Sequence, residues 1–122
     1  MDRTVRLNDN WYITDGSKKA SFLKRRFAKG ENLPQERKGE YTIARKFICP
    51  KQVNDTVTVF FEGDFREIEV FADKTKLEAV KTDEGKNVYD VTPFLTHGST
   101  VISATVKGGK TTAFYFSVKR KV

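Results

Sequence analysis

The feature that most constrains this chain is its stock of residues that fit a pleated surface. Twelve Val, five Ile and thirteen Thr stand against five Leu and seven Ala, and ten Phe and four Tyr join them. β-Branched and aromatic side chains pack well across a half-buried sheet, whereas Leu and Ala favour helices. The apolar residues also recur at period two, which sets alternate side chains on one face of a strand. Tyr41, Ile43, Arg45 and Phe47 share a face in a strand that ends before Pro50. Val57, Val59 and Phe61 share a face in the next, which is expected to end at Gly63-Asp64. Ile68, Val70 and Ala72 then oppose Glu69, Phe71 and Asp73, and Asn87 to Val91 reads as a further short strand. Ile102, Ala104 and Val106 form a face before Gly108-Gly109 is expected to turn the chain, and Phe114, Phe116 and Val118 form the last apolar face.

Punctuation between these runs supports the same reading. Leu7 to Ile13 looks like a turn leading into a short strand, and Thr14-Asp15-Gly16-Ser17 is a turn signal. Phe22 to Phe27 suits an edge strand, Gly30 to Gly39 reads as loop, and Thr92 to Gly98 fits one helical turn stopped by glycine. Strands of period two with a turn about every 8–12 residues predict a sandwich or barrel. At 122 residues the chain suits one domain, residues 1–122, since two would each be too small to bury a good core.

Composition excludes several function classes. No apolar run approaches the length of a membrane-spanning helix. No apolar region follows Met1-Asp2-Arg3-Thr4-Val5-Arg6, so no signal peptide is expected. The sole cysteine, Cys49, cannot form an internal disulfide, which is compatible with a reducing compartment, and a cytoplasmic location is the expectation. One His and one Cys leave no basis for a zinc site or a His-dependent triad, and no metal or cofactor is expected. The net charge of +7 is uneven: residues 1–51 carry 13 basic and 6 acidic side chains, residues 52–106 carry 5 and 10, and residues 107–122 carry five basic ones alone.

Five segments, in order, resemble the N-terminal domain of glycoside hydrolase family 2, the β-galactosidase and β-glucuronidase group. They are Leu7-Asn8-Asp9-Asn10-Trp11, Leu33-Pro34-Gln35, Arg45-Lys46-Phe47-Ile48-Cys49-Pro50, Phe61-Glu62-Gly63, and Asp90-Val91-Thr92-Pro93-Phe94-Leu95-Thr96-His97-Gly98. Together they cover roughly residues 5–107. The resemblance implies an all-β, two-sheet β-sandwich of about eight strands, a jelly roll like the galactose-binding domain. In the family this domain packs on a separate barrel that carries two catalytic glutamates. Such a barrel needs about 250 further residues, so the resemblance implies an excised module or a stand-alone relative. Ala72-Asp73-Lys74 stands where the family has Val-Asn-Gly, whose Asn can reach substrate. Ile43 and Ala44 replace an aromatic and the first Arg of a pair, the loop after Leu77 lacks the usual Gly-Gly, and Thr111 to Val122 departs from the family's run into its next domain.

Candidate chemistry is sparse. Glycoside hydrolysis needs two carboxylates about 5–10 Å apart. Glu67/Glu69 and Asp83/Glu84 are pairs that could sit so, with a solvated strand face as the ordinary alternative. His97 reads as a cap or surface residue, Cys49 as a small core filler, and Trp11 as core. Sugar binding needs an aromatic face and a few planar polar groups. Candidates are Asp73 and Lys74 with Lys81, Asp83, Glu84 and Asn87, and Tyr89 as the platform; ordinary turn chemistry, with Tyr89 in the core or at its rim, is the alternative.

The basic stretch Lys18-Lys19 through Lys24-Arg25-Arg26 to Lys29, with Phe22 and Phe27 interleaved, has the outward form of a single-strand binder. Five positions separate the two Phe, so on a strand they face opposite ways, and no RNP-like or KH-like motif accompanies them. A solvated basic edge or a surface docking an acidic partner domain are the alternatives. The expected function is a non-catalytic, carbohydrate-associated accessory domain that recognises sugar or buttresses a catalytic barrel outside this chain. Its partners would be carbohydrate or that catalytic domain, with no membrane. The alternatives are a structural or protein-interaction sandwich docking through its basic face and, third, a nucleic-acid binder.

Overall fold

Two long strands organise the molecule. The computed structural model describes residues 2–15, 32–49, 54–83, 86–95 and 98–119. Eight strands follow in order: β1 (Asp2–Arg6), β2 (Tyr12–Asp15), β3 (Gln35–Ile48), β4 (Thr56–Ala72), β5 (Thr75–Lys76), β6 (Lys81–Asp83), β7 (Lys86–Asp90) and β8 (Ser99–Lys119). They form one antiparallel sheet in the order β2-β3-β8-β4-β7-β6, with β1 beside β8 and β5 beside β4. β8 pairs with β4 almost throughout, while its other edge pairs with β3 over its first half and with β1 over its last five residues. The sheet therefore folds over on itself. One layer holds β2, β3, β5 and the facing halves of β8 and β4; the other holds β1, β6, β7 and the remaining halves. The result is the expected β-sandwich, its two sheets joined through shared strands.

The core lies between the layers. Ile43, Phe47, Val70, Ile102 and Ala104 come from one layer, Val57, Val59, Phe61, Tyr89 and Phe114 from the other, and all belong to one buried cluster with Trp11. Phe47 meets Phe116 edge-on across the gap, with centroids 5.0 Å apart. Burying this apolar surface is the main force holding the layers together. Cys49 is buried with them, as expected. Buried hydroxyls are paired: Tyr41 with Thr111 at 2.9 Å and Thr42 with Thr105 at 3.1 Å.

The fold line runs through all three long strands at one level. On β4 the register against β8 slips between Glu62 and Gly63, leaving Thr112 of β8 as the extra residue. On β3 it slips between Arg37 and Glu40, where Gly39 has φ +77°. Such bulges bend a strand and increase its twist. At the crossing the backbones are too close for side chains. A Cβ on Gly63 would strike the Lys110 carbonyl oxygen, and one on Gly109 the Asp64 carbonyl oxygen.

Three expectations are corrected here. Gly63-Asp64 and Gly108-Gly109 do not end strands or reverse the chain; β4 and β8 run straight through them. Residues 35–39, read as loop from their charge and glycine content, are the first residues of β3, and Gln35 to Arg37 pair with Thr111 to Gly109. Phe22 to Phe27, the basic stretch around them and the Gly16-Ser17 half of the first turn lie outside the described residues.

The recurring motifs have local physical reasons. The Asn8 carboxamide donates to the Thr112 carbonyl (3.4 Å) and accepts from the Phe114 amide (3.2 Å), satisfying backbone groups of residues 112–114, which lie between the stretches of β8 that β3 and β1 pair. Trp11 Nε1 donates to the Leu7 carbonyl at 3.0 Å, closing the loop between them. Arg45 Nε pins the same loop through the Asp9 carbonyl at 2.6 Å. Thr92–Phe94 is the expected short helical turn. Asp90 Oδ1 accepts from the Thr92 amide, and the Thr92 hydroxyl accepts from the Val57 amide at 2.9 Å. Gly98 closes that segment at φ +80°, its amide on the Leu95 carbonyl.

Candidate functional site

In a regular strand, successive side chains face opposite ways. β4 breaks this rule just past the fold line. Its inward residues are odd-numbered before the bend (Val57, Val59, Phe61) and even-numbered after it (Val70, Ala72). The strand must twist between them, and there Phe65, Arg66, Glu67 and Ile68 all line one depression of about 260 Å³. Thr82 of β6 and Lys86 and Asn87 of β7 form its other wall. That volume lies just below the roughly 300–1,000 Å³ of ordinary ligand pockets, so it suits one small ring rather than a long oligomer.

Phe65 and Ile68 give the depression an apolar floor that is continuous with the core. Arg66 and Lys86 bring positive charge, Glu67 a carboxylate, and Thr82 and Asn87 neutral donors and acceptors. The Asn87 carboxamide lies close enough to the Tyr89 phenol to influence its ionisation. Burial pushes that phenol above its ordinary 10.0; the Asn87 carboxamide opposes the rise and the nearby Glu78 charge adds to it.

The residues expected to bind sugar are distributed as follows. Asn87 lines the depression. Lys81 is exposed on β6, opposite Val88, and does not line it. Asp83 pairs through its backbone with Lys86; its side chain, Glu84 and His97 lie outside what is described. Tyr89 is a correction: at 4% exposed it belongs to the core and offers no open ring face. Asp73 and Lys74 sit in the turn between β4 and β5, at the far end of β4 from its pairing with β7.

Asp73 acts there as a clamp. Its two carboxylate oxygens accept from the Thr100 hydroxyl (2.9 Å) and the Val101 amide (3.1 Å), and its own amide donates to the Val101 carbonyl. Asp73 also holds φ at +52°, which Asp and Asn tolerate better than other non-glycine residues. Replacing Asp73 with Ala is expected to cost about 1–2 kcal/mol in thermal or urea unfolding, while Asp73→Asn recovers part of it. A loss under about 0.5 kcal/mol, the level of an ordinary surface substitution, would show that the clamp contributes nothing.

Of the Glu67/Glu69 pair, the depression is lined by Glu67 and not by Glu69. Glu69 lies 4.0 Å from Lys76 Nζ. Among the described residues Glu67 is the one carboxylate lining the depression, whereas hydrolysis of a glycosidic bond requires two. No group of three or more His, Cys, Asp or Glu able to hold a metal gathers among the described residues, and no helix there is long and apolar enough to cross a membrane. Reasoning from the sequence missed Phe65, Arg66, Ile68, Thr82 and Lys86. The available signal was the loss of alternation in Phe65-Arg66-Glu67-Ile68, where the apolar residues stand three apart.

No family model and no curated protein matches the sequence. The fold is shared with solved structures. A glycosyl hydrolase family 2 member from Bacteroides cellulosilyticus superposes with a TM-score of 0.78 at 10% identity, over 97% of this chain and 21% of that one. A β-glycosidase from Bacteroides vulgatus gives 0.75 at 21% identity, over 95% and 20%. A β-glucuronidase from Faecalibacterium prausnitzii gives 0.75 at 10%, over 98% and 32%. The chain thus spans about a fifth to a third of the length of these structures.

Proposed function

We propose that this chain is a carbohydrate-associated β-sandwich of the kind built into glycoside hydrolase family 2 enzymes, and that it holds a single saccharide unit without hydrolysing it. The observation that carries the reading is the depression beside the β4 twist. It brings an apolar floor (Phe65, Ile68) together with directional polar groups (Glu67, Thr82, Asn87) in a space of about 260 Å³. A pyranose needs this combination, an apolar surface for its C–H face and a few fixed partners for its hydroxyls. The shared fold supports the carbohydrate class, and the chain's span of about a fifth to a third of those enzymes supports binding over hydrolysis.

The test is a titration of the intact chain against a panel of simple pyranosides at low and high salt, read by NMR. A neutral sugar should shift the amides of residues 65–68, 82 and 87. Its affinity should change little with salt, because hydroxyl contacts are not screened as ion pairs are. Glu67→Ala and Asn87→Ala should each weaken binding about fivefold or more, the worth of one good hydrogen bond, with the melting temperature held. A blank panel, or binding that both variants leave intact, would overturn the assignment of this site.

A further inference from the structure

Strand register places the charged wall of the depression. Arg66 lies between two opposed pairs, Phe65 with Gly109 and Glu67 with Lys107, which sets it across from Gly108 on β8. Gly108 holds φ at +67°, and a methyl on it would lie 3.3 Å from Arg66 Cβ, 3.8 Å from Nε and 4.0 Å from Cζ. The Arg66 side chain therefore runs along bare β8 backbone, in space that a longer side chain at 108 would take.

Arg66 and Glu67 are neighbours in sequence and would face opposite ways on a regular strand. The twist of β4 brings both to the depression. Neither side chain makes a hydrogen bond or an ion pair among the described residues. Lys107, opposite Glu67, bridges to Glu40 at 3.7 Å instead, and Lys86 Nζ lies over the Phe60 ring, 4.8 Å from its centroid. A guanidinium only donates, in a fixed fork, and an ionised carboxylate only accepts. The depression thus holds an unengaged donor beside an unengaged acceptor. Charge does not choose the ligand, because Lys86 stands opposite Asp83 and Glu67 opposite Lys107, so neither sign dominates.

From this geometry we infer that Arg66 and Glu67 read two adjacent hydroxyls of the bound ring, so that the depression takes a saccharide with a free vicinal diol, and that Gly108 is the positioning residue that leaves Arg66 room to do so. The inference rests on the reading of the depression as a sugar site. A hydroxyl both donates and accepts. One hydroxyl of the diol accepts from Arg66 and its neighbour donates to Glu67. Hydrogen bonds to charged partners are stronger than neutral ones, so this pair, more than Thr82, sets which hydroxyls count.

The probes are the methyl pyranosides of glucose, galactose and mannose with their monodeoxy derivatives, titrated into the ¹⁵N-labelled chain. For the pyranoside that most shifts residues 65–68, 82 and 87, loss of either hydroxyl of one adjacent pair should weaken binding about tenfold, and loss of any other hydroxyl less than about threefold. Arg66→Ala should weaken the parent sugar about fivefold or more and leave binding indifferent to one hydroxyl of the pair; Glu67→Ala should do the same for the other. Gly108→Asn tests the positioning. Asn tolerates the left-handed backbone, and its carboxamide takes the space of the guanidinium. It should erase the same hydroxyl preference as Arg66→Ala, whereas Gly39→Asn, at φ +77° with nothing within 4 Å of its Cβ, should leave affinity and preference unchanged. In the native chain Arg66 Hε should give a nuclear Overhauser contact to Gly108 Hα, which checks the seat without a substitution. The inference is overturned if the deoxy sugars bind alike, if the hydroxyls that count are not adjacent, if Arg66→Ala or Gly108→Asn keeps the parental preference, or if the Overhauser contact is absent. In each of these cases the parent pyranoside still binds at the depression and the sugar site stands; a panel without shifts removes the site and this inference together.

Discussion

Gly109→Ala is expected to cost the fold a large part of its stability. Gly109 holds φ at +153°, and a Cβ there would meet the Asp64 carbonyl oxygen and lie 2.6 Å from Phe65 Cα. Those atoms belong to the backbone of the paired strand, so no side-chain rotation relieves the contact. Either β4 moves away from β8 at the fold line, breaking the ladder on both sides, or the chain fails to fold. Overpacking and backbone strain together suggest about 3–5 kcal/mol, or roughly 12–20 °C in melting temperature for a domain of this size. Gly39→Ala is the control: its φ is also positive, at +77°, but nothing lies within 4 Å of the new Cβ. It should cost only about 1 kcal/mol, the conformational part alone. Gly63→Ala strikes the same crossing from the other strand, at the Lys110 carbonyl oxygen. Combined with Gly109→Ala it should cost less than the two separately, because strands already forced apart accommodate the second methyl. A Gly109→Ala protein that melts with Gly39→Ala would refute the close crossing.

The same crossing explains which parts of the fold could be read from residues. Period-two patterning located the apolar faces: Val57, Val59 and Phe61, then Ile102, Ala104 and Val106, and Phe114 and Val118 are buried as expected. It could not distinguish a turn from a bend, because both interrupt the pattern with glycine. Gly63-Asp64 and Gly108-Gly109 therefore read as chain reversals, although each lies inside a single strand. Gln35 to Arg37 were hidden for the opposite reason: polar residues carry no alternation to read, and only pairing with β8 makes them strand. The depression was partly legible through Asn87 and Glu67. Its remaining residues come together only because β4 twists, and twist depends on long-range pairing. Asp73 occupied a position that the family resemblance made attractive, but its chemistry is fixed by Thr100 and Val101, which lie far from it in sequence.

Trp11→Ala should be the most damaging core substitution. Trp11 is fully buried, and its ring meets Phe61 at 5.6 Å and Phe114 at 5.2 Å, both edge-on. Those two rings come from β4 and β8 just where the strands enter the fold line, so the indole fills the inside of the bend. Truncation removes the largest apolar side chain in the core and leaves a cavity that the bulged backbone cannot close without giving up the Asn8 bonds. Large-to-Ala changes of this kind cost about 3–5 kcal/mol, comparable with the loss at Gly109 but from too little volume rather than too much. Trp11→Phe separates the two contributions of the residue. It keeps an aromatic edge against Phe61 and Phe114 and loses the bond to the Leu7 carbonyl, and should cost less than half as much. Because Trp11 is the single tryptophan, its fluorescence gives a check on the intact protein. Native emission should be blue-shifted and resistant to iodide, and should move to the red in the same denaturant transition that unfolds the strands. A native spectrum open to iodide, or an Ala variant melting within a degree or two of the parent, would place the indole outside the bend. The motif from Leu7 to Trp11 would then have some role other than holding the two layers at their fold.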